Sequence, residues 1–250
     1  IGEGLPSDEP TTIYQDRRGR IWIGFHAHGL VQFGDRKSFA YSTTDGLPSN
    51  DVFSIREDSH GDLLIATRAG PTRMHDGHFF NYNMRYQHLQ RTTYDILEDQ
   101  HHRLWIGTPA GLEEVHTRGS HNVIPATSAV LVLYETRDGS IWAGTDGQGL
   151  WRLKDGLWRL YTISDGLSNT HVRSLLEDAD GTLWIGTIGG GLNALRNGRI
   201  LAVTTVDDSL SGNVWHIQDD GRGSLWLITT RGIVRVRKQE LNDLIAGKIG

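Results

Sequence analysis

Four acidic pairs have the composition of a hydrolytic site: Glu57-Asp58, Glu98-Asp99, Glu177-Asp178 and Asp219-Asp220. Two neighbouring carboxylates can act as general acid and base when their surroundings push their pKa values apart. His26-Ala-His28 sets two imidazoles on one side of an extended segment, and His171 would be a third metal ligand. Gly189-Gly190-Gly191 has the look of a phosphate loop. None of the three holds up. The acidic pairs recur at one place in a repeat, where a tight turn needs an aspartate. Two histidines make no metal site, and no His-Glu-x-x-His pattern accompanies them, so no metal and no cofactor are expected. No Lys-Ser/Thr follows the glycines, which rules out a P-loop.

The repeat explains the pairs. Asp178 to Leu192 reads DADGTLWIGTIGGGL, and five further copies follow its pattern. The tryptophan position falls at Trp22, Leu64, Trp105, Trp142, Trp184 and Trp226. The copies vary: Thr136 replaces the turn aspartate, His102 the turn glycine and Leu64 one tryptophan. Each copy reads as an apolar strand, an Asp-x-x-Gly turn, a strand with the tryptophan, a glycine-rich loop and a further strand pair. Four short antiparallel strands at a period near 42 residues make one propeller blade. The fold class expected is therefore all-β: a β-propeller with six recognisable four-stranded blades, the last incomplete, in one domain. The blades cover about 8–43, 50–84, 91–127, 129–163, 170–206 and 213–237. The fourth strand of the third blade is placed at Asn122–Ala126. A short C-terminal helix over 238–247 presents Leu241, Leu244, Ile245 and Ile249 on one face, with Gly247 to end it. The tryptophans are expected to pack between neighbouring blades.

Between blades runs a second signature, Asp45-Gly-Leu-Pro-Ser-Asn50 and Asp165-Gly-Leu-Ser-Asn169, with looser copies at Asp208–Asn213 and Gly4–Ser7. Asn81 to Thr92 replaces it with an irregular stretch rich in Arg and aromatic residues. These loops share one end of the propeller with the glycine-rich loops, and binding groups concentrate on loops held by a rigid scaffold. That end should carry Phe25, His26, His28, Arg68, Arg85, Tyr86, His88, Asp146, Gln148, His171 and Arg231. Rings, planar guanidinium groups and amides there suit a hydroxyl-rich ligand. Read singly, each is an ordinary solvated rim residue.

Composition excludes other classes. The net charge is −5 with both signs interspersed, so nucleic acid is not an expected partner. No cysteine is present, which excludes disulfides and thiolate metal sites. No apolar run is long enough to span a bilayer, so no membrane contact by this chain itself is expected. The residues IGEGLPSDEP lack the charged and apolar regions of a signal peptide.

The alternation of DxxGxLWIGTxxGGL with DGLSN resembles the two-component regulator propeller repeat, over almost the whole chain. The resemblance implies the periplasmic sensor region of a bacterial membrane receptor, with a histidine kinase or diguanylate cyclase as output. The family's rings are commonly seven-bladed, two of them followed by a β-sandwich and a membrane helix, and its gut members take oligosaccharides. On this reading the chain is one propeller, or part of one, of a longer receptor. It would bind an oligosaccharide or other small ligand without catalysis and dimerise through the parent receptor. The departures are six units instead of seven, and no sandwich, membrane helix or kinase motif. Two alternatives stay open: a protein-interaction propeller, and an enzyme like streptogramin B lyase, a propeller that uses a histidine on its face with magnesium.

Overall fold

The computed structural model describes residues 5–6, 9–34, 38–82, 89, 91–116, 119–123, 128–203, 210–246 and 248. The chain is an all-β six-bladed propeller. In each blade every strand pairs antiparallel with the next; five blades have four strands and the sixth has three among the described residues. The blades fall into two compact units, Ile1–Ala126 with blades 1 to 3 and Thr127–Gly250 with blades 4 to 6 and the helix. Blade 5 shows the plan: strands Val172–Glu177, Leu183–Thr187, Gly191–Arg196 and Arg199–Val203. The second strand of each blade carries the tryptophan position, at Ile21–Phe25, Leu63–Thr67, Leu104–Thr108, Ile141–Thr145, Leu183–Thr187 and Ser224–Thr229.

Side chains alternate between the two faces of each strand, and both faces of an inner blade are buried. One face of blade 5 sets Leu175, Leu183, Ile185 and Leu195 against Trp142 of blade 4. Its other face sets Trp184, Leu192 and Ala194 against Val214, Ile217 and Leu225 of blade 6. Trp22 packs likewise on Val52, Ile55 and Leu63 of blade 2. A tryptophan buried this way removes enough area to contribute roughly 4–6 kcal/mol before ordering costs. Two residues past the tryptophan the faces come so close that a side chain does not fit. A Cβ on Gly144 would lie 2.6 Å from Val132 Cγ1 and 2.7 Å from Val172 Cγ1. Blade 6 has Ile228 at this position, 45% exposed, beside a Trp226 that is 42% exposed.

The turn aspartate joins each turn to its tryptophan. Asp16 Oδ1 accepts from the backbone N–H groups of Arg18 and Arg20, while Oδ2 accepts from Trp22 Nε1 at 2.8 Å and from the Arg20 guanidinium. Asp99 does the same with His101, Arg103 and Trp105, and Asp178 with Asp180, Thr182 and Trp184. The departures from the pattern are compensated. In blade 2, Leu64 has no side-chain N–H, and Arg73 Nε lies 3.0 Å from Asp58 Oδ2 instead. In blade 4, Thr136 Oγ1 accepts from Trp142 Nε1 at 3.1 Å and donates to Asp138 Oδ1. Asp138 then receives the Ser140 N–H that the missing aspartate would have taken. His102 takes the glycine's left-handed conformation at φ 60.

In three of the four acidic pairs the first residue reaches the preceding blade, while Asp219 accepts from Gly221 N and Lys238 instead. Glu57 accepts from Arg17 N, Glu98 from Ser59 N and Glu177 from Arg137 N. The Arg137 guanidinium also caps the carbonyls of Asp178 and Ala179. The carboxylate pairs are thus joints between and within blades.

Two boundaries differ from expectation. The fourth strand of blade 3 is Gly119–Asn122 instead of Asn122–Ala126, because the hairpin closes tightly with His116 opposite Gly119. The helix, α1, is Lys238–Ile245, and Leu241, Leu244 and Ile245 pack between blades 5 and 6 as their spacing implied. Gly247 and Ile249 lie outside the described residues. Among the described residues no helix is long and apolar enough to cross a membrane.

Burial alone would push the Asp16 and Asp99 carboxyls up, but the indole, backbone and guanidinium donors outweigh it and hold both below the usual range. Stability from lowered carboxyls is complete above the ordinary carboxylate range, near pH 4, and is lost as pH falls through the lowered values. Asp16→Asn and Asp99→Asn each turn one acceptor into a donor facing donors. Each should cost about 1–3 kcal/mol at pH 7. In urea titrations across pH, the gap to the parent should narrow below about pH 4.

Candidate functional site

The opposite end of the blades, away from the aspartate turns, is built on a second brace. The threonine that ends the second strand folds its hydroxyl onto the loop: Thr67 Oγ1 donates to Gly70 O, Thr108 to Gly111 O, Thr145 to Gly149 O and Thr187 to Gly191 O. Gly149 is obligatory, because at φ +109 a Cβ would sit 2.2 Å from the Tyr161 carbonyl oxygen. The inter-blade loops are pinned from below by Leu47, Leu167 and Leu210, all buried. Both elements therefore hold their side chains on preset backbone.

In blades 1 and 2 this frame gathers His26, Arg68 and Asp51. The Asp51 carboxylate accepts from Ala27 N at 2.8 Å and is paired with the His26 ring and with Arg68 Nε. Burial alone would raise this carboxyl; the Ala27 N–H, Arg68 and His26 hold it below the usual range. The Arg68 guanidinium stands 5.9 Å from the centre of the Phe53 ring, which meets Tyr94 at 5.7 Å. His26 is half exposed and Arg68 slightly more so. The result is an exposed donor pair on an anionic base, edged by aromatic rings.

In blades 4 and 5, His171 and Asp146 meet across a backbone bridge, with His171 Nε2 3.7 Å from Asp146 Oδ1. Asn169 Oδ1 accepts from His171 N and lies 3.0 Å from its Nδ1. Gln148 hangs on the same loop as Asp146, its N–H donating to Thr145 Oγ1 and its Oε1 enclosed without a partner.

Of the residues singled out from sequence, the structure pairs His26 with Arg68 and Asp146 with His171. His28 is exposed, its Nδ1 2.9 Å from the His26 carbonyl. Phe25 is corrected: it occupies the threonine position of blade 1 and is wholly buried with Ile23 and Val31, so it offers no face to a ligand. Arg231 lies on blade 6, its backbone N–H donating to Thr229 Oγ1. Arg85, Tyr86 and His88 lie outside the described residues. Among the described residues no three His, Asp or Glu side chains converge as a metal site. Sequence reasoning missed Asp51, Phe53 and Tyr94. The signal for Asp51 was present: it directly precedes a framework valine, Val52, as His171 precedes Val172 and Asn213 precedes Val214. Asn213 also joins loops, accepting from Gly189 N.

The model of the two component regulator propeller matches residues 4–27, 46–69, 124–147 and 166–189. These four segments are two-component regulator propeller repeats. The matches at 46–69 and 166–189 each span an inter-blade loop, the aspartate turn and the second strand, so the repeats include both loop systems of the candidate site. Solved structures share the fold. The extracellular domain of B. thetaiotaomicron BT4673, described as a one component system, superposes with a TM-score of 0.76 at 21% identity, over 95% of this chain and 36% of that one. This chain thus spans little more than a third of that domain. A catalytically inactive virginiamycin B lyase from Staphylococcus aureus with quinupristin gives 0.70 at 16%, over 95% and 87%. PorZ of Porphyromonas gingivalis, a surface component of the type-IX secretion system, gives 0.68 at 17%, over 95% and 40%. At these identities the likeness is one of fold. No curated protein matches the chain.

Asp51→Ala should release both His26 and Arg68. Exposed pairs of this kind contribute little, so stability should stay within about 1 kcal/mol. The Arg68 Nε–H should exchange with solvent distinctly faster by NMR.

Proposed function

We propose that the chain is a non-catalytic ligand-sensing domain of a bacterial membrane receptor of two-component type. Its loop end binds an oligosaccharide outside the cytoplasm, in the periplasm, and the kinase or cyclase output lies elsewhere in the parent protein. The observation that carries this is the contrast between the two ends of the blades. The aspartate-turn end repeats the same bonds, with local compensation. The loop end keeps a constant brace but changes its exposed side chains from blade to blade, as a recognition surface does. Paired imidazole, guanidinium, carboxylate and amide groups supply donors and acceptors for hydroxyls, and Phe53 and Tyr94 supply rings. Signalling then requires that the ligand bind two receptor arrangements with different affinity; the parent receptor's dimer is where such a difference would act.

A second reading is an elimination enzyme, favoured by the near-complete mutual coverage with the lyase. One experiment separates the two. The chain is screened on an oligosaccharide array, and incubated with quinupristin and magnesium under mass spectrometry. The sensor reading expects a bound glycan, an intact peptide and at least about ten-fold weaker glycan binding in Arg68→Ala or His171→Ala, the loss of one charged hydrogen bond. Cleaved quinupristin, or glycan binding untouched by both substitutions, would overturn it.

A further inference from the structure

Between blades 4 and 5, at the aspartate-turn end, lies a cavity of about 140 Å³. It is at the opposite end of the blades from His171 and Gln148, and the proposed function does not use it. It sits where blade 4 departs from the repeat. In blades 1, 3 and 5 the turn carboxylate is buried against the tryptophan indole. In blade 4 Thr136 holds the indole, and the carboxylate has moved two residues outward to Asp138, at the cavity wall and 42% exposed. Trp142 and Tyr161 lie beneath the cavity, both buried, with ring centres 5.7 Å apart, and the Arg152 guanidinium covers the Trp142 ring at 5.1 Å. Glu177 closes the blade 5 side, and the Asn197-Gly198 turn stands at the mouth. The mouth is open: a Cβ built on Gly181 or Gly198 would meet nothing within 4 Å.

The wall groups decide what fits. Every ion is already paired: Asp138 with Arg152 at 2.9 Å and Lys154 at 2.7 Å, Glu177 with Arg137 at 3.2 Å. A charged ligand would have to break one of these pairs, and splitting a partly buried pair is costly. A neutral hydroxylated ligand need not. Arg152 uses Nε on Ser140 Oγ and Nη2 on Asp138, which leaves further N–H groups of its five to donate. Glu177 receives both Arg137 bonds on Oε2, which leaves Oε1 to accept. A donor and an acceptor side by side, with every charge already paired, is chemistry that suits the hydroxyls of a sugar ring. A volume of about 140 Å³ limits the occupant to one small ring.

We propose that this cavity is a binding site for a single neutral pyranose. Its donor is Arg152 and its acceptor is Glu177, with Trp142 beneath the Arg152 guanidinium.

The test is an NMR titration of the whole 250-residue chain, following the Trp142 indole N–H. The probes are methyl glucoside, methyl galactoside, methyl mannoside, glycerol and inorganic phosphate. At least one glycoside should shift the Trp142 signal saturably, with glycerol and phosphate weaker. Arg152→Met should weaken that binding about ten-fold or more, as the loss of a charged hydrogen bond does. Should Arg152→Met fold poorly, Glu177→Gln serves as the second variant, with the same expected direction. No glycoside shift, a shift with phosphate only, glycerol binding as well as any glycoside, or full affinity in a well-folded variant would each overturn the proposal.

Discussion

The turn aspartate and its tryptophan are the interaction on which the blades depend. One carboxylate bonds two backbone N–H groups of the turn and an indole N–H six residues on. A tight turn and a large buried side chain are thereby fixed in one relation. The indole can be buried because its polar N–H has a partner, and the carboxylate can be buried because its oxygens are filled with donors. Neither group would tolerate the site alone. The same relation explains why exceptions come as double changes. Leu64 is accompanied by Arg73 on Asp58, and Thr136 by Asp138 at the turn.

Neighbouring blades are held by two contacts of different character. Apolar area is supplied by the tryptophan on the strands of the next blade, with no side chain allowed at Gly144 or Gly186. Register is set by the glutamates of the acidic pairs, which take a turn N–H from the blade before. Area alone is non-directional and would let blades slide; the charged hydrogen bonds fix the position along the sheet. Blade 6 departs on its outer face: Ile228 stands where the other blades have glycine or alanine, so that face does not admit the close approach seen between blades 4 and 5.

Most of the fold was legible in the sequence because it is written six times. Period, turn chemistry and strand alternation all agree, and the strands of blades 4 and 6 fall where the pattern put them. The last strand of blade 3 drifted because its hairpin closes tightly with His116 opposite Gly119, where the sequence has none of the Asn-Gly signal that marks the same turn in blade 5. The acidic pairs read as structural from their recurrence, though their separate bonds did not. The loop end was legible as a place more than as a site. Phe25 looked like a loop aromatic because periodicity could not tell a residue ending a strand from one beginning a loop. Asp51 went unnoticed because it looked like one more turn aspartate, whereas its work is to pair side chains from two blades. Such pairings depend on which loops meet across blades, and a linear pattern holds no record of that.

The exchange at Thr136 and Asp138 also limits how this repeat can change over generations. Returning Thr136 alone to aspartate would set a second carboxylate beside one that already takes bonds from Ser140, Arg152 and Lys154. Removing Asp138 alone would strip the turn and leave two cations without their partner. Blade 5 carries both carboxylates, Asp178 and Asp180, so the way back to the common pattern runs through an aspartate at 136 first, and only then through the loss of Asp138. Degeneracy between repeats is in this sense history whose order is set by electrostatics.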